Sequence, residues 1–175
     1  MNESWQQQQK NIEKLLAAKL HNQYYKDVMD YGCGWGRLIP FISKYSGHIW
    51  AIDIIDSMLQ RAGEQSQNVT ALAATRSAAI EMPSEMVDLV VVVSVFHYLT
   101  DDIIFGFCTD ELKRILKPGG RVLIIDNAVD KDYHVKPRTD VELAARLNLK
   151  PGWTSEKVTI NRKPLDHWLI DGVKG

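Results

Sequence analysis

The stretch LVVVVSV at 89–95 constrains the fold of this chain more than any other. A strand with one wet face alternates apolar and polar residues, whereas this one is apolar and β-branched on both faces. Such a strand belongs inside a parallel sheet with helices packed on each side. Parallel neighbours are joined by crossovers, so helical segments must separate the strands.

The rest of the sequence meets that requirement. Periodicity predicts an amphipathic helix over 3–24, with Ile12, Leu15, Leu16 and Leu20 on one face and Trp5, Tyr24 and Tyr25 at its ends. Gln6–Gln9 reads as a solvated helix face. Strands are expected at 27–31, 48–53, 68–73, 89–95 and 121–126, and helices at 37–45, 56–65 and 104–116. Lys117-Pro118-Gly119-Gly120 stops the last of these helices. Thr139-Asp140-Val141-Glu142 is a capping box opening a helix to about residue 147. Segments 153–160 and 167–173 alternate as a terminal strand pair, joined by a turn at 161–165. The expectation is an open α/β sheet, mostly parallel, ending in an antiparallel strand pair, with helices on both faces. Residues 1–175 show no repeat and no linker, which predicts a single domain.

Composition removes several classes of function. A net charge of −1 leaves no basic footprint for nucleic acid. No apolar run approaches the roughly 20 residues of a membrane span. The opening residues MNESWQQQQK lack the apolar core of a signal peptide. Cys33 and Cys108 lie too far apart for a metal-ligand motif or a disulfide framework. The expected setting is cytoplasmic and reducing, with no metal.

The first strand runs into VMDYGCGWGR, with Gly32, Gly34 and Gly36 at alternate positions. Three glycines in one turn cost backbone entropy. They serve either a tight turn or a ligand that needs the backbone close. In open α/β sheets ligands bind beyond the carboxyl ends of the strands, where strand order reverses, and this turn lies there. A helix opening at Gly36 would add free N–H groups and a positive dipole end. Asp53 ends the second strand about 20 residues on, placed to accept from both hydroxyls of a ribose. Turn and acid together indicate a nucleoside-bearing cofactor. The spacing G-x-G-x-G differs from the dinucleotide pattern G-x-G-x-x-G.

DYGCGWGR, then WAIDIIDSML, FHYL and ELKRILKPGGRVLIID, in that order over 27–126, resemble a class I S-adenosylmethionine-dependent methyltransferase. The resemblance implies a Rossmann-like sheet and methyl transfer from S-adenosyl-L-methionine, leaving S-adenosyl-L-homocysteine. It assigns the cofactor's methionine part to Asp30, Gly32, Cys33, Gly34 and Gly36, and its ribose to Asp53. It assigns adenine to Ile54 and Met58, although Met58 serves equally as core, and a backbone contact to Ser94. Family members often bond the adenine amino group with an acid after the third strand. Here that region is Arg76-Ser77-Ala78-Ala79, which nominates Ser77, Ala78 or stacking alone.

His97 is the candidate base for a hydroxyl acceptor, being near the mouth of the site and titrating in a useful range. Its other reading is a histidine that hydrogen-bonds locally or shapes the pocket. Tyr98 reads as packing. Arg37 reads as a contact to the cofactor carboxylate or as a solvated arginine, and Cys33 as a small packing residue with its backbone toward the ligand. Asp126 and Asn127 share the rim and read more simply as turn caps. His134 and Arg138 fall where the family often meets substrate, or are solvated. The segment SVFH is unlike the Asn-Pro-Pro-Tyr motif of enzymes that methylate nucleic-acid amino groups. The acceptor is therefore expected to be a small molecule, under a lid formed by the N-terminal helix (1–25) with Trp5, Tyr24 and Tyr25. A second subunit or partner could complete so small a pocket. The alternative function is a methyltransferase-like binding or scaffold subunit. A nucleotide-dependent oxidoreductase is a third reading, disfavoured by the glycine spacing.

Overall fold

The computed structural model describes residues 3–75, 79–128, 135–160 and 166–175. Its elements, in order, are α1 (Glu3–Leu20), β1 (Tyr25–Tyr31), α2 (Ile39–Ile42), β2 (Ser46–Asp53), α3 (Asp56–Gly63), β3 (Val69–Ala73), β4 (Val87–Val93), α4 (Asp102–Ile115), β5 (Leu116–Asn127), α5 (Asp140–Arg146), β6 (Thr154–Val158) and β7 (His167–Val173). Short 3-10 turns occupy Ser43–Tyr45 and Phe96–Tyr98.

The strands form one sheet in the order β3-β2-β1-β4-β5-β7-β6. β3, β2, β1, β4 and β5 are parallel, and β7 runs antiparallel to both β5 and β6. Direction of growth reverses between β1 and β4, which places the ligand crevice at their carboxyl ends. The sheet is the expected Rossmann-like one.

β4 divides its side chains between two cores, as its sequence requires. Leu89, Val91 and Val93 join Ile12, Leu16 and Leu20 of α1 and Leu59 and Ala62 of α3. Val90 and Val92 join Phe105, Cys108, Leu112 and Ile115 of α4 and Leu143 of α5. Each fully buried side chain of this size contributes roughly 1.5–3 kcal/mol. Among the described residues no helix is long and apolar enough to cross a membrane.

Two local expectations change. The N-terminal helix ends at Leu20, and Tyr25 already belongs to β1. α1 is about 27 Å long, so its two ends serve opposite edges of the sheet. The helix expected after the glycine turn shrinks to Ile39–Ile42, because Pro40 is tolerated only in a first turn. Tightening over Ser43–Tyr45 then delivers the chain to β2. A helix this short has little dipole to offer an anion.

Asp101, overlooked in the sequence, caps α4 by accepting from Ile103 N at 2.7 Å and Ile104 N at 3.2 Å. Asp101→Ala is expected to cost about 1 kcal/mol, a fall in melting temperature of about 2–4 °C, readable by thermal denaturation. Thr139 caps α5 as expected, accepting from Glu142 N at 3.1 Å. α4 stops at Ile115, and Lys117-Pro118-Gly119-Gly120, expected as a turn, instead lies within β5, which already pairs at Leu116 with Val87 and resumes at Arg121 after an irregularity.

Candidate functional site

The carboxyl ends of β1, β2, β4 and β5 meet through a small set of hydrogen bonds. Gly32 N and Cys33 N both donate to Ile52 O, at 2.8 and 2.9 Å, and Gly36 N donates to Cys33 O at 3.0 Å. The turn is thus closed on itself and tied to β2. Gly34 N donates to Asp53 Oδ2 at 2.8 Å, while Ile54 N and Ile55 N donate to Oδ1 at 2.8 and 3.1 Å. A carboxylate has about four lone-pair sites, so Asp53 can take a further donor while holding the turn.

The three glycines have different physical reasons. A side chain at Gly32 would strike Val95 Cγ2 at 2.4 Å, so this glycine lets β1 and β4 close together. At Gly36, φ is +83° and a Cβ would lie 2.8 Å from Ala62 Cα, so this one seats the turn on α3. At Gly34, φ is +54° and a Cβ would meet nothing within 4 Å among the described residues. Its open side is the space in which a bound molecule could approach the backbone.

In the segments flanking the turn, two buried polar atoms lack partners among the described residues, Asp30 Oδ2 and Arg37 Nη1. Burial pushes the Asp30 carboxyl up to about 7, with Arg37 opposing and the Asp53 charge assisting the rise. Burial likewise lowers the Arg37 guanidinium, with the Asp30 charge opposing. An unpartnered carboxylate oxygen and an unpartnered guanidinium nitrogen fit the ammonium and carboxylate of an amino acid. The open face of Gly34 fits the same group.

Cys33 is buried, and burial drives its thiol far above the usual range. Its N–H donates to Ile52 O of β2 and its carbonyl accepts from Gly36 N, while its side chain packs in the core. Trp35 packs beside α3, with the Arg61 guanidinium 5.5 Å from its ring centre. Ile54 and Ile55 are exposed beside Asp53, and Met58 is half-buried, together an apolar shelf that could take a flat ring. Ser77 and Ala78, together with His134, lie outside the described residues.

Ser94 adopts φ +59°, a conformation rare for a residue with a side chain. Its N–H donates to Ile125 O at 2.8 Å. The backbone then turns sharply into Phe96–Tyr98, and Asp126 captures that turn. Its carboxylate accepts from Val95 N at 3.2 Å, Phe96 N at 2.7 Å and Asn127 N at 2.7 Å. It also bonds His97 Nδ1. Asp126 is therefore a turn cap, as expected, and in addition the residue that orients His97. With a carboxylate on Nδ1, the proton is assigned to Nδ1 and Nε2 carries the free lone pair.

His97 lines a cavity of about 280 Å³ with Trp5, Gln8, Arg37, Ser94, Tyr98, Asn127, Val135, Asp166 and His167. Trp5 and Gln8 come from the first turns of α1, and Gln9 Nε2 donates to Arg37 O at 2.8 Å. The glutamine run is thus only partly a solvated face. Tyr24 and Tyr25 are not at this cavity. Tyr25 receives a hydrogen bond from Arg121 at 2.8 Å near the opposite edge of the sheet, where a hollow of about 470 Å³ is lined by paired charges such as Lys117 and Asp88.

Arg138 is taken from the substrate set. It is buried, its guanidinium donates to Asp102 at 2.7 Å, Glu142 at 3.0 Å and Leu99 O at 2.8 Å, and it stacks 4.0 Å from the Phe105 ring centre. It fastens α4 to α5. The pattern Arg138–Glu142 (i, i+4) beside a capping box was the available signal.

Known proteins fit this geometry. A family described as a methyltransferase domain matches residues 29–124. Phosphoethanolamine N-methyltransferase 1 of Triticum aestivum is 30% identical over 114 residues, 62% of this chain and 23% of that protein. The ubiquinone/menaquinone biosynthesis C-methyltransferase UbiE of Cupriavidus metallidurans is 30% identical over 105 residues, 57% of this chain and 42% of that protein. The chain thus spans less than half the length of either curated relative. The N-methyltransferase NodS of Bradyrhizobium japonicum, in complex with S-adenosyl-L-homocysteine, superimposes with a TM-score of 0.76. It is 17% identical, with 99% of this chain and 88% of that one covered. The fold is the one NodS has, and the family match defines the class, a methyltransferase domain. This chain belongs to the methyltransferase-domain family.

Proposed function

We propose that this protein transfers a methyl group from S-adenosyl-L-methionine to a small-molecule acceptor bound in the cavity beside His97. The observation that carries this reading is the adjacency of two features at one sheet edge. One is the glycine turn, with its open face and two unpartnered polar atoms. The other is a cavity lined by an oriented imidazole. Arg37 and Asp30 hold the carboxylate and ammonium of the cofactor over Gly34, while Gly32, Cys33 and Gly36 keep the turn in shape. Asp53 receives the ribose, Ile54 and Met58 flank adenine, and Ser94 offers backbone.

When bound, the cofactor supplies a methyl carbon activated by its sulfonium. The cavity aligns the nucleophilic atom of the acceptor at near-attack distance, roughly 3–3.5 Å from that carbon. His97 Nε2 accepts the proton the acceptor loses, and Asp126 stabilises the imidazolium that results. His97→Gln is expected to lower the rate of methyl transfer by roughly 10²–10⁴ while leaving cofactor affinity unchanged. The rate is read as labelled methyl transferred into a small-molecule extract.

A scaffold role would need no space beside the cofactor, so the cavity supports the enzyme reading. α1, which brings Trp5 and Gln8 to the cavity, is the lid candidate. A reducing, cytoplasmic setting is supported by the two buried free thiols, Cys33 and Cys108. Calorimetric titration with S-adenosyl-L-homocysteine tests the reading. Binding is expected in the wild type, weakened about 10- to 100-fold by Asp53→Ala through loss of hydrogen bonds to a charged group. No heat in the wild type, or equal affinities, would count against it.

A further inference from the structure

A second histidine–aspartate pair faces the same cavity from β7, beyond β5 in the sheet. His167 opens β7 and stands opposite Asn127 in the antiparallel register. It is buried, and its Nδ1 lies 2.8 Å from Asp166 Oδ1. Asp166 Oδ1 also accepts from Ile160 N at 3.0 Å, and its carbonyl accepts from Ala128 N at 3.0 Å, so the backbone fixes this carboxylate. The pair thus repeats the arrangement of His97 with Asp126. In both, a carboxylate holds Nδ1–H and leaves Nε2 as the polar atom the ring can offer. Neither Nε2 makes a hydrogen bond among the described residues, and both rings line the one cavity.

Simple packing would not require this. A histidine needed only to pair β7 with β5 could be any β-former, and a buried Asp–His pair is a costly way to fill space. Two imidazoles held at Nδ1 by carboxylates, each with Nε2 towards one cavity, select for hydrogen-bond donors on the molecule between them. A molecule with a single donor satisfies one ring and leaves the other desolvated and unpaired, a penalty that discriminates strongly between close analogues.

We propose that His167 is an acceptor-binding, specificity-determining residue, and that the methyl acceptor carries two hydrogen-bond donors. One, on the reacting atom, meets His97 Nε2; the other meets His167 Nε2. This rests on the methyl-transfer reading above for the identity of the acceptor, but the paired hydrogen bonds can be observed without the cofactor.

Catechol, phenol and anisole are matched probes with two, one and no O–H donors, each small enough for about 280 Å³. They are titrated into protein carrying ¹⁵N-labelled histidine, at about pH 8 where a free imidazole is neutral, with and without S-adenosyl-L-homocysteine. Catechol is expected to move the Nε2 signals of both His97 and His167. It should bind about five- to tenfold more tightly than phenol, the worth of one hydrogen bond. His167→Asn, whose amide reaches only the Nδ1 position, should lose that preference, and His167→Gln, which reaches the Nε2 position, should keep it. Equal affinity for catechol and phenol, or a His167 signal unmoved while His97 responds, would overturn the proposal. Absence of S-adenosyl-L-homocysteine binding in the same samples would instead strike the methyl-transfer reading.

Discussion

Gly34→Ala is expected to keep most of its stability and lose its cofactor, whereas Gly36→Ala is expected to lose much of its stability. At Gly34 the added Cβ meets no atom of the described residues within 4 Å. The cost to the free protein is the left-handed backbone alone, about 1–2 kcal/mol. The same Cβ occupies the face over which the amino-acid part of the cofactor lies. A displacement there of about 1 Å is on the order of a 100-fold loss. At Gly36 the backbone penalty combines with overlap against Ala62 Cα, Ile39 Cδ1 and Gln65 Cγ, all within 2.9 Å. Overpacking adds about 1–3 kcal/mol, and a melting temperature lower by roughly 10 °C follows. Thermal melts with calorimetry on both variants separate the two effects. If the two variants behave alike, the turn is not divided into a ligand-facing and a structural glycine.

The second large effect concerns pH. Asp30 has its carboxyl pushed up to about 7 by burial, against about 4 in an unfolded chain. Between those values the folded state holds a proton that the unfolded state has released, so stability falls as pH rises from about 4 to about 7. Asp30→Asn removes that slope, and the free variant is expected to be the more stable protein at and above neutral pH. The ceiling is roughly 4 kcal/mol for a shift of about three units. Cofactor binding responds with the opposite sign, because an ammonium beside Asp30 favours its charged form. Affinity for S-adenosyl-L-homocysteine should therefore rise towards about pH 7 and level off above it, while the ligand's amine stays protonated. In Asp30→Asn the rising limb disappears and the affinity is low throughout. Urea denaturation and calorimetry from about pH 4 to about 9 give both curves. A wild type whose stability climbs from pH 4 to 7 through this carboxyl, or an unchanged rising limb in Asp30→Asn, would contradict the assignment.

Much of the architecture was legible because it rests on local chemistry. The apolar run in β4 dictated a covered parallel sheet, Pro118 and two glycines marked the end of α4, and Thr139 with Glu142 marked the start of α5. The glycine turn and Asp53 were visible for the same reason, since each is a spacing within one short stretch. What the sequence concealed depends on which distant residues become neighbours. Asp126 reaches His97 because β5 lies beside β4 in a particular register, and nothing near Asp126 announces it. His167 meets the same cavity only because β7 inserts between β5 and β6. Tyr24 and Tyr25 were misplaced because the length of α1, not its periodicity, decides which edge of the sheet they reach. Ser94 is a backbone event, a positive φ that no residue preference signals.

The central claim, one cofactor turn and one acceptor cavity sharing the carboxyl edge of β1 and β4, is tested most directly by a crystal structure with S-adenosyl-L-homocysteine bound. The predicted result has its carboxylate on Arg37, its ribose hydroxyls on Asp53 and its sulfur turned towards His97 Nε2. A ligand seated elsewhere, or one whose sulfur faces away from the His97 cavity, would contradict it.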